Sequence, residues 1–372
     1  IRARGRLYAA GAETITAIDL PEGDEKPRIA WSLPAAGQVV RLLAAANRLF
    51  AVTLDGRILA FGAEPGEVET IADPPRPSPL AAEAAAEAEK LLAATGQRQG
   101  YALWFGVDDG QLLEAVARAS ELHLVAVDER AEKIAALRRR LDRAGLYGTR
   151  IALAVGDPER FMAPPYIANL VVISRSIAPR LGDPRILSQV FESVRPYGGR
   201  LWAPGGEQLA AALAAAKLPG ARLEAHGANA VITRQGPLPG AADWTHLYGD
   251  VANTVKSNDR RVKLPLGVLW FGGISNLDIL PRHGHGPSQQ VVGGRLFIQG
   301  INCLSALDVY TGRVLWKREF PDLGTFQVYY DETYAETPLS TAYNQVHLPG
   351  ANARGSNSTP GSGSSIRWMN GR

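Results

Sequence analysis

Two acidic strand tips and one glycine turn hold most of the chemistry this chain could do. Residues Ala102-Leu103-Trp104-Phe105 run into Gly106-Val107-Asp108-Asp109-Gly110 and then into a helical pattern. A strand, a glycine-bearing turn and a helix start form a cradle for a nucleotide. Glycine lets a ligand approach the backbone, and the free N–H groups of the first helical turn offer donors. The next apolar run ends in Val127-Asp128, 22 residues after Gly106. A carboxylate at that strand tip can accept from both hydroxyls of a ribose. A third run leads to Gly156-Asp157, where an acidic side chain can meet an adenine amino group. Gly106, Asp108, Gly110, Asp128 and Asp157 are therefore the candidate cofactor-binding residues.

The remaining reactive side chains are more scattered. No catalytic residue stands out. His123 begins a strand pattern and reads as structural. His283 and His285, within Pro281–Pro287, alternate as two ligands on one strand face would. Flanking glycines and prolines and the lack of a nearby carboxylate or cysteine argue for a loop, and His347 and Asn344 are similarly isolated. No metal is expected. Cys303 is the only cysteine, which excludes an intrachain disulfide framework and a multi-cysteine metal site. It reads as a small buried side chain.

These residues need a scaffold, and the sequence supplies two kinds. From Tyr101 to about Gly236 strands alternate with helices, which implies a parallel sheet with crossover helices. Expected strands are 101–105, 122–127, 151–154, 170–174, 200–203 and 230–234. Expected helices are 111–119, 130–144, 184–194 and 207–217, preceded by an Ala- and Glu-rich helix over 80–94. Pro74 to Pro79 reads as a linker, and Pro237-Leu238-Pro239-Gly240 closes the α/β stretch.

Outside it the period is two. Gly5-Arg6-Leu7-Tyr8 leads to Ala17-Ile18-Asp19, and Gly294-Arg295-Leu296-Phe297 leads to Ala306-Leu307-Asp308, with a Leu-to-Asp spacing of 12 in both. Asn47-Arg48-Leu49-Phe50 leads to Ala60-Phe61-Gly62 through a hairpin signal at Asp55-Gly56. The third copy continues through Thr311-Gly312 to Trp316, and the first reaches Trp31. Asp243-Trp244 through Thr254 reads as the start of a further unit. Arg354–Arg372 is rich in Gly and Ser and reads as irregular.

The third copy resembles the A-x-D-x-x-T-G-x-x-x-W repeat of quinoprotein-type (PQQ-like) β-propellers, and the others resemble it more distantly. That implies four strands per blade, with the Trp between blades. The α/β stretch resembles a class I S-adenosylmethionine-dependent methyltransferase. The resemblance rests on the glycine turn, the acidic strand tips and Arg195-Pro196-Tyr197-Gly198-Gly199-Arg200-Leu201, which is similar to that family's R-P-G-G-x-L turn with Tyr197 inserted. The expected fold class is thus multidomain β and α/β: partial propeller over 1–75, a Rossmann-like methyltransferase domain over 76–237, partial propeller over 238–350 and a tail over 351–372. The arrangement is similar to mixed propeller and methyltransferase proteins of Planctomycetes.

The resemblance implies S-adenosylmethionine as cofactor. Gly106 and Gly110 would line the methionine moiety, Asp128 would hold the ribose and Asp157 would face the adenine. The family's loop is usually G-x-G-x-G, and its middle glycine is Asp108 here, a side chain able to crowd the ligand or repel its carboxylate. Ala163-Pro164-Pro165-Tyr166 resembles the P-P-Y motif of amino-group methyltransferases, but it precedes the fourth strand instead of following it and reads as a loop. Arg175-Ser176-Ile177 offers no acceptor clamp, although methyl transfer can proceed by positioning alone. Quinoproteins of this type carry adjacent cysteines over the quinone, so no PQQ is expected.

Two functions stay open: a methyltransferase with a propeller platform for an unknown protein or small-molecule acceptor, or a binding scaffold whose α/β domain has lost the cofactor. Localisation follows the same fork, cytoplasmic for an active methyltransferase and extracytoplasmic for an exported propeller. Hydrophobic residues at 46% and charged residues at 21% fit a soluble globular chain. A formal charge of +3, with Arg138–Arg140 its densest basic run, gives no nucleic-acid patch. No apolar run is long enough to span a membrane. The chain starts at Ile1 inside a strand pattern, so a missing N-terminal segment is expected.

Overall fold

The computed structural model describes residues 1–11, 13–21, 23, 25–62, 70–71, 74–275, 278–279, 289–300 and 303–320, with two short strands at Ser358–Pro360 and Ile366–Trp368. Pro281–Pro287, Asn344, His347 and most of the tail lie outside the described residues. The chain divides into two compact units, Ile1–Asp73 and Pro74–Arg372.

In the first unit β1 (Arg2–Ala3), β2 (Arg6–Ala10), β3 (Thr14–Asp19) and β4 (Arg28–Pro34) form an antiparallel meander. β5 (Val39–Ala45), β6 (Arg48–Thr53) and β7 (Ile58–Phe61) form a three-stranded sheet. Alternation buries Ile15, Leu49 and Ala51 in a small shared core, with Tyr8 and Trp31 packed on it.

The second unit is built on seven strands: β8 (Gln99–Phe105), β9 (Glu121–Asp128), β10 (Ile151–Val155), β11 (Ala168–Ile173), β12 (Gly199–Pro204), β13 (Ala221–His226) and β14 (Asn229–Arg234). Their spatial order is β10-β9-β8-β11-β12-β14-β13. Pairs among β8 to β12 are parallel, and β14 runs antiparallel to both its neighbours. Parallel strands covered on both faces read as continuous apolar runs, and Ala102–Phe105 and Leu170–Ile173 are such runs, fully buried. Helices α1 (Ala82–Thr95), α2 (Gln111–Arg118) and α3 (Ala131–Arg143) contribute to one hydrophobic core, and α4 (Pro184–Glu192) and α5 (Gly206–Ala216) to the other. The strand β13 was not expected: its sequence, ARLEAH, lacks the β-branched residues that mark a strand.

A four-stranded antiparallel meander follows: β15 (Gln290–Val292), β16 (Arg295–Gln299), β17 (Cys303–Asp308) and β18 (Val314–Glu319). It matches the first meander in register. Ala17 faces Trp31 and Ala306 faces Trp316, and in each sheet a bulge falls directly after that alanine. The ring pairs also correspond, Tyr8 with Trp31 at 5.9 Å and Phe297 with Trp316 at 6.1 Å. The first and third repeat copies are thus four-stranded, the second is three-stranded, and among the described residues no sheet closes into a propeller.

Asp243 to Thr254 does not form the expected strands. It holds turns, with isolated bridges pairing Trp244 with Val291 and His246 with Gly249. The physical reason is local: the Asp250 carboxylate accepts from the backbone N–H groups of Ala252 and Thr254 and from the Thr254 hydroxyl. Such bonds offer the chain an alternative to a ladder.

Candidate functional site

Connections β8→β9→β10 wind one way from the middle of the sheet, and β11→β12 wind the other. The switch point lies between β8 and β11, where open α/β sheets bind ligands beyond the strand carboxyl ends. The loop Gly106–Gly110 leaves β8 there, and Ser174–Ile177 leaves β11 beside it.

Gly106 and Gly110 both have positive φ, 74° and 73°. A Cβ on Gly106 would meet the Ser174 Oγ at 2.2 Å and the Ile177 Cγ1 at 2.6 Å. One on Gly110 would meet Leu137 at 2.7 Å. Close packing against this chain's own side chains is therefore sufficient reason for both glycines.

Asp108, also at positive φ (42°), reaches across the switch point. Its carboxylate accepts from the backbone N–H of Arg175 at 3.1 Å and of Ser176 at 3.4 Å. The Arg175 guanidinium pairs in turn with Glu87 on α1, at 3.1 Å.

Asp128 ends β9 and is 3% exposed. Its Oδ2 accepts from the Val107 N–H at 3.1 Å, and its Oδ1 from the Arg130 N–H at 3.0 Å. The Arg130 guanidinium grips both oxygens, at 3.1 and 3.2 Å, with Lys133 Nζ at 3.7 Å. Burial pushes this carboxyl up, but the hydrogen bonds from Arg130 and Val107 and the Lys133 charge outweigh it and hold the pKa at about 2.

Asp157 sits after β10 and accepts from the Glu159 N–H at 3.0 Å. Arg180, on the 3-10 turn after β11, lies within 3.7 Å of both Asp157 and Glu129 and 3.3 Å of Glu159. One guanidinium thus ties together loops from β9, β10 and β11. The basic partners Arg130, Arg175 and Arg180 escaped sequence reasoning. Only Arg130, two residues from a strand-tip aspartate, carries a readable signal.

All five predicted residues stand at the carboxyl-terminal edge of the sheet; Asp128 is bonded to the glycine turn through Val107, and Asp157 is held by Arg180. Each of the three carboxylates that would meet a nucleoside or its methionine tail is committed to groups of this chain. The Asp108 side chain bridges the crevice.

Other sequence candidates fall elsewhere. Tyr166 packs edge-on against Tyr310 at 5.8 Å, and its hydroxyl accepts from Arg261 at 2.8 Å. His123 is exposed on β9. Cys303 is buried in β17. Among the described residues no cluster of three or more His, Cys, Asp and Glu could hold a metal, and no helix is long and apolar enough to cross a membrane.

No family model matches the chain, and no curated protein does. Among solved structures it is similar to a putative S-adenosyl-L-methionine-dependent methyltransferase from Methanococcus maripaludis, at 16% identity, covering 41% of this chain and 84% of that one, with a TM-score of 0.37. A SAM-dependent methyltransferase from Aquifex aeolicus is similar at 13% identity, with 40% and 89% covered and a TM-score of 0.33. A putative sarcosine dimethylglycine methyltransferase from Galdieria sulphuraria is similar at 14% identity, with 38% and 63% covered and a TM-score of 0.33. These three neighbours are described as methyltransferases. Likeness at this level assigns no activity to the present chain.

Proposed function

We propose that the α/β region is a methyltransferase-like module that acts as a binding scaffold without turning over S-adenosylmethionine. The observation that carries this reading is Asp108, whose carboxylate takes the backbone donors of Arg175 and Ser176 across the switch point. A ligand entering there must break that bridge and compete with Arg130 for Asp128. In this reading the flanking antiparallel sheets are single propeller-type blades serving as a platform for a protein partner. Their support is the shared register of the Ala17–Trp31 and Ala306–Trp316 pairs.

A second reading keeps the enzyme. Its support is Asp128, ionised at the tip of β9 beside a positive-φ glycine turn. In it the Arg175–Ser176 loop swings away, Asp128 holds the ribose, Asp157 faces the adenine and an unidentified acceptor enters.

Calorimetric titration with S-adenosylmethionine separates the two. The scaffold reading expects no saturable heat from the parent chain or from Asp128→Ala. Saturable binding by the parent that Asp128→Ala weakens by roughly tenfold or more, the loss of charge-assisted hydrogen bonds, would overturn it in favour of the enzyme. Asp108→Gly removes the bridge. Binding by that variant alone identifies the bridge as what closes the crevice.

A further inference from the structure

Parallel strands need a long crossover, usually a helix laid over the sheet. Between β10 and β11 the crossover is residues 156–167, and it contains turns but no helix. A cavity of about 170 Å³ opens there, between this loop and the end of α4.

Its walls are apolar: Phe105 at the end of β8, Phe161 in a T-shaped contact with it at 6.2 Å, Met162 and Val190. An apolar cavity of about 150 Å³ holds one benzene ring, so this one has room for a single ring. Phenyl edges and a thioether are favourable neighbours for an aromatic ligand.

The polar groups at the cavity are Gln189, Ser193 and Glu192. The Gln189 amide donates to the Glu159 carbonyl at 2.8 Å, and the Ser193 hydroxyl donates to the Val190 carbonyl at 2.7 Å. One Gln189 amide hydrogen and the Ser193 hydroxyl hydrogen are thereby used, and both side-chain oxygens remain acceptors. The Glu192 carboxylate makes no hydrogen bond or ion pair among the described residues. The buried Arg234 donates to the Phe191 carbonyl at 2.7 Å and lies over the Phe191 ring, and its charge also interacts with Glu192 beyond ion-pair distance. A rim with acceptors and a negative charge selects a ligand that brings donors and a positive charge.

We infer that the slot between residues 156–167 and α4 binds a single-ring aromatic amine, with the ring on Phe105 and Phe161 and the ammonium on Glu192. The site stands on the α4 side of the sheet, next to the crevice at the switch point: Phe105 directly precedes Gly106, and the 156–167 loop also carries Asp157.

Benzylamine, benzyl alcohol and benzoate are the probes, titrated into the full chain with saturation-transfer NMR and calorimetry as readouts. Benzylamine is expected to bind saturably, with benzoate at least about tenfold weaker because its charge meets Glu192. Glu192→Gln should weaken benzylamine by about tenfold, the loss of a charge-assisted hydrogen bond, and leave benzyl alcohol unchanged. Ala163→Trp should fill the slot and abolish binding of both. Met162→Trp, at a side chain 82% exposed, is the second filling variant should the first melt early. Benzoate binding as well as benzylamine, benzylamine binding that survives a filled slot, or no benzylamine binding at millimolar concentration by the folded parent would each overturn the assignment.

Discussion

Arg195 Nε donates to Asp308 Oδ2 at 2.7 Å, with the carboxylate wholly buried and the guanidinium nearly so. The first residue belongs to the turn that enters β12 and the second ends β17, so one ion pair fastens the antiparallel meander to the α/β sheet. The Arg195 Nη1 is satisfied by the Pro196 carbonyl at 2.8 Å, and its guanidinium lies 5.7 Å from the Tyr310 ring. A Cβ on Gly294 would fall 2.8 Å from the Tyr197 ring. The extra residue in the R-P-Y-G-G turn therefore packs against the start of β16. In the first meander the matching aspartate, Asp19, pairs with Arg6 of its own sheet at 2.7 Å.

Breaking this pair leaves a charge stranded in the seam. Asp308→Ala should cost about 3–5 kcal/mol, the usual penalty for half of a buried ion pair. Arg195→Met together with Asp308→Leu should recover much of that loss. Chemical denaturation of the parent, both single variants and the double variant closes the cycle. Additive single losses with no recovery would mean that the two side chains do not act as a pair.

The α/β fold was legible because its signals are local and periodic. Buried runs such as Leu170–Ile173 and amphipathic helices such as Ala131–Arg143 declare themselves, and the expected strands and helices agree with the observed ones to within about two residues. The strand β13 was hidden because it lacks β-branched residues, and Asp243–Thr254 misled because Asp250 captures the backbone that a strand would need. At the site, the acidic tips were readable from their place after strands. Their partners were not. Arg175 and Arg180 lie in loops far along the chain, and only the winding of the sheet brings them to Asp108 and Asp157.

Gly106 supplies a prediction that distinguishes packing from ligand binding. Gly106→Ala would combine a positive φ with a Cβ only 2.2 Å from the Ser174 hydroxyl. The expected loss is at least about 2 kcal/mol, from backbone strain and overpacking together. It should appear as a lower melting temperature with no cofactor present. An unchanged melt would mean that the loop has slack and that the glycine serves something else.

Cys303 offers a test of the docked meander. It is 5% exposed, and burial, followed by the nearby Asp278 carboxylate, pushes its thiol up. A low thiolate fraction and poor access make a cysteine unreactive. A chromogenic disulfide reagent should react slowly with the native chain and stoichiometrically in denaturant. Asp308→Ala, which loosens β17, should speed the native reaction. Rapid modification of the native parent would contradict the burial of β17.

Asp128 sets a pH dependence whose sign follows from its environment. Its pKa is about 2 in the folded chain, against about 3.9 for an unfolded aspartate. A carboxyl whose folded value is depressed stabilises the fold fully above the unfolded pKa and ceases to do so as pH falls through the folded one. The window is therefore about pH 4 down to about pH 2. The gap corresponds to about 2–3 kcal/mol at neutral pH, an upper figure because Arg130, its main partner, is half exposed to screening solvent. Asp128→Asn keeps the shape and removes the charge. Its destabilisation relative to the parent should be constant from neutral pH down to about pH 4, shrink through the window and vanish near pH 2. Adding salt at neutral pH should reduce it only in part, since the Val107 and Arg130 backbone donors are unscreened. A difference between the two proteins that stays flat from neutral pH to pH 2 would mean that Asp128 is not held ionised by these partners. The case that its carboxylate is already spoken for at the switch point would then fall with it.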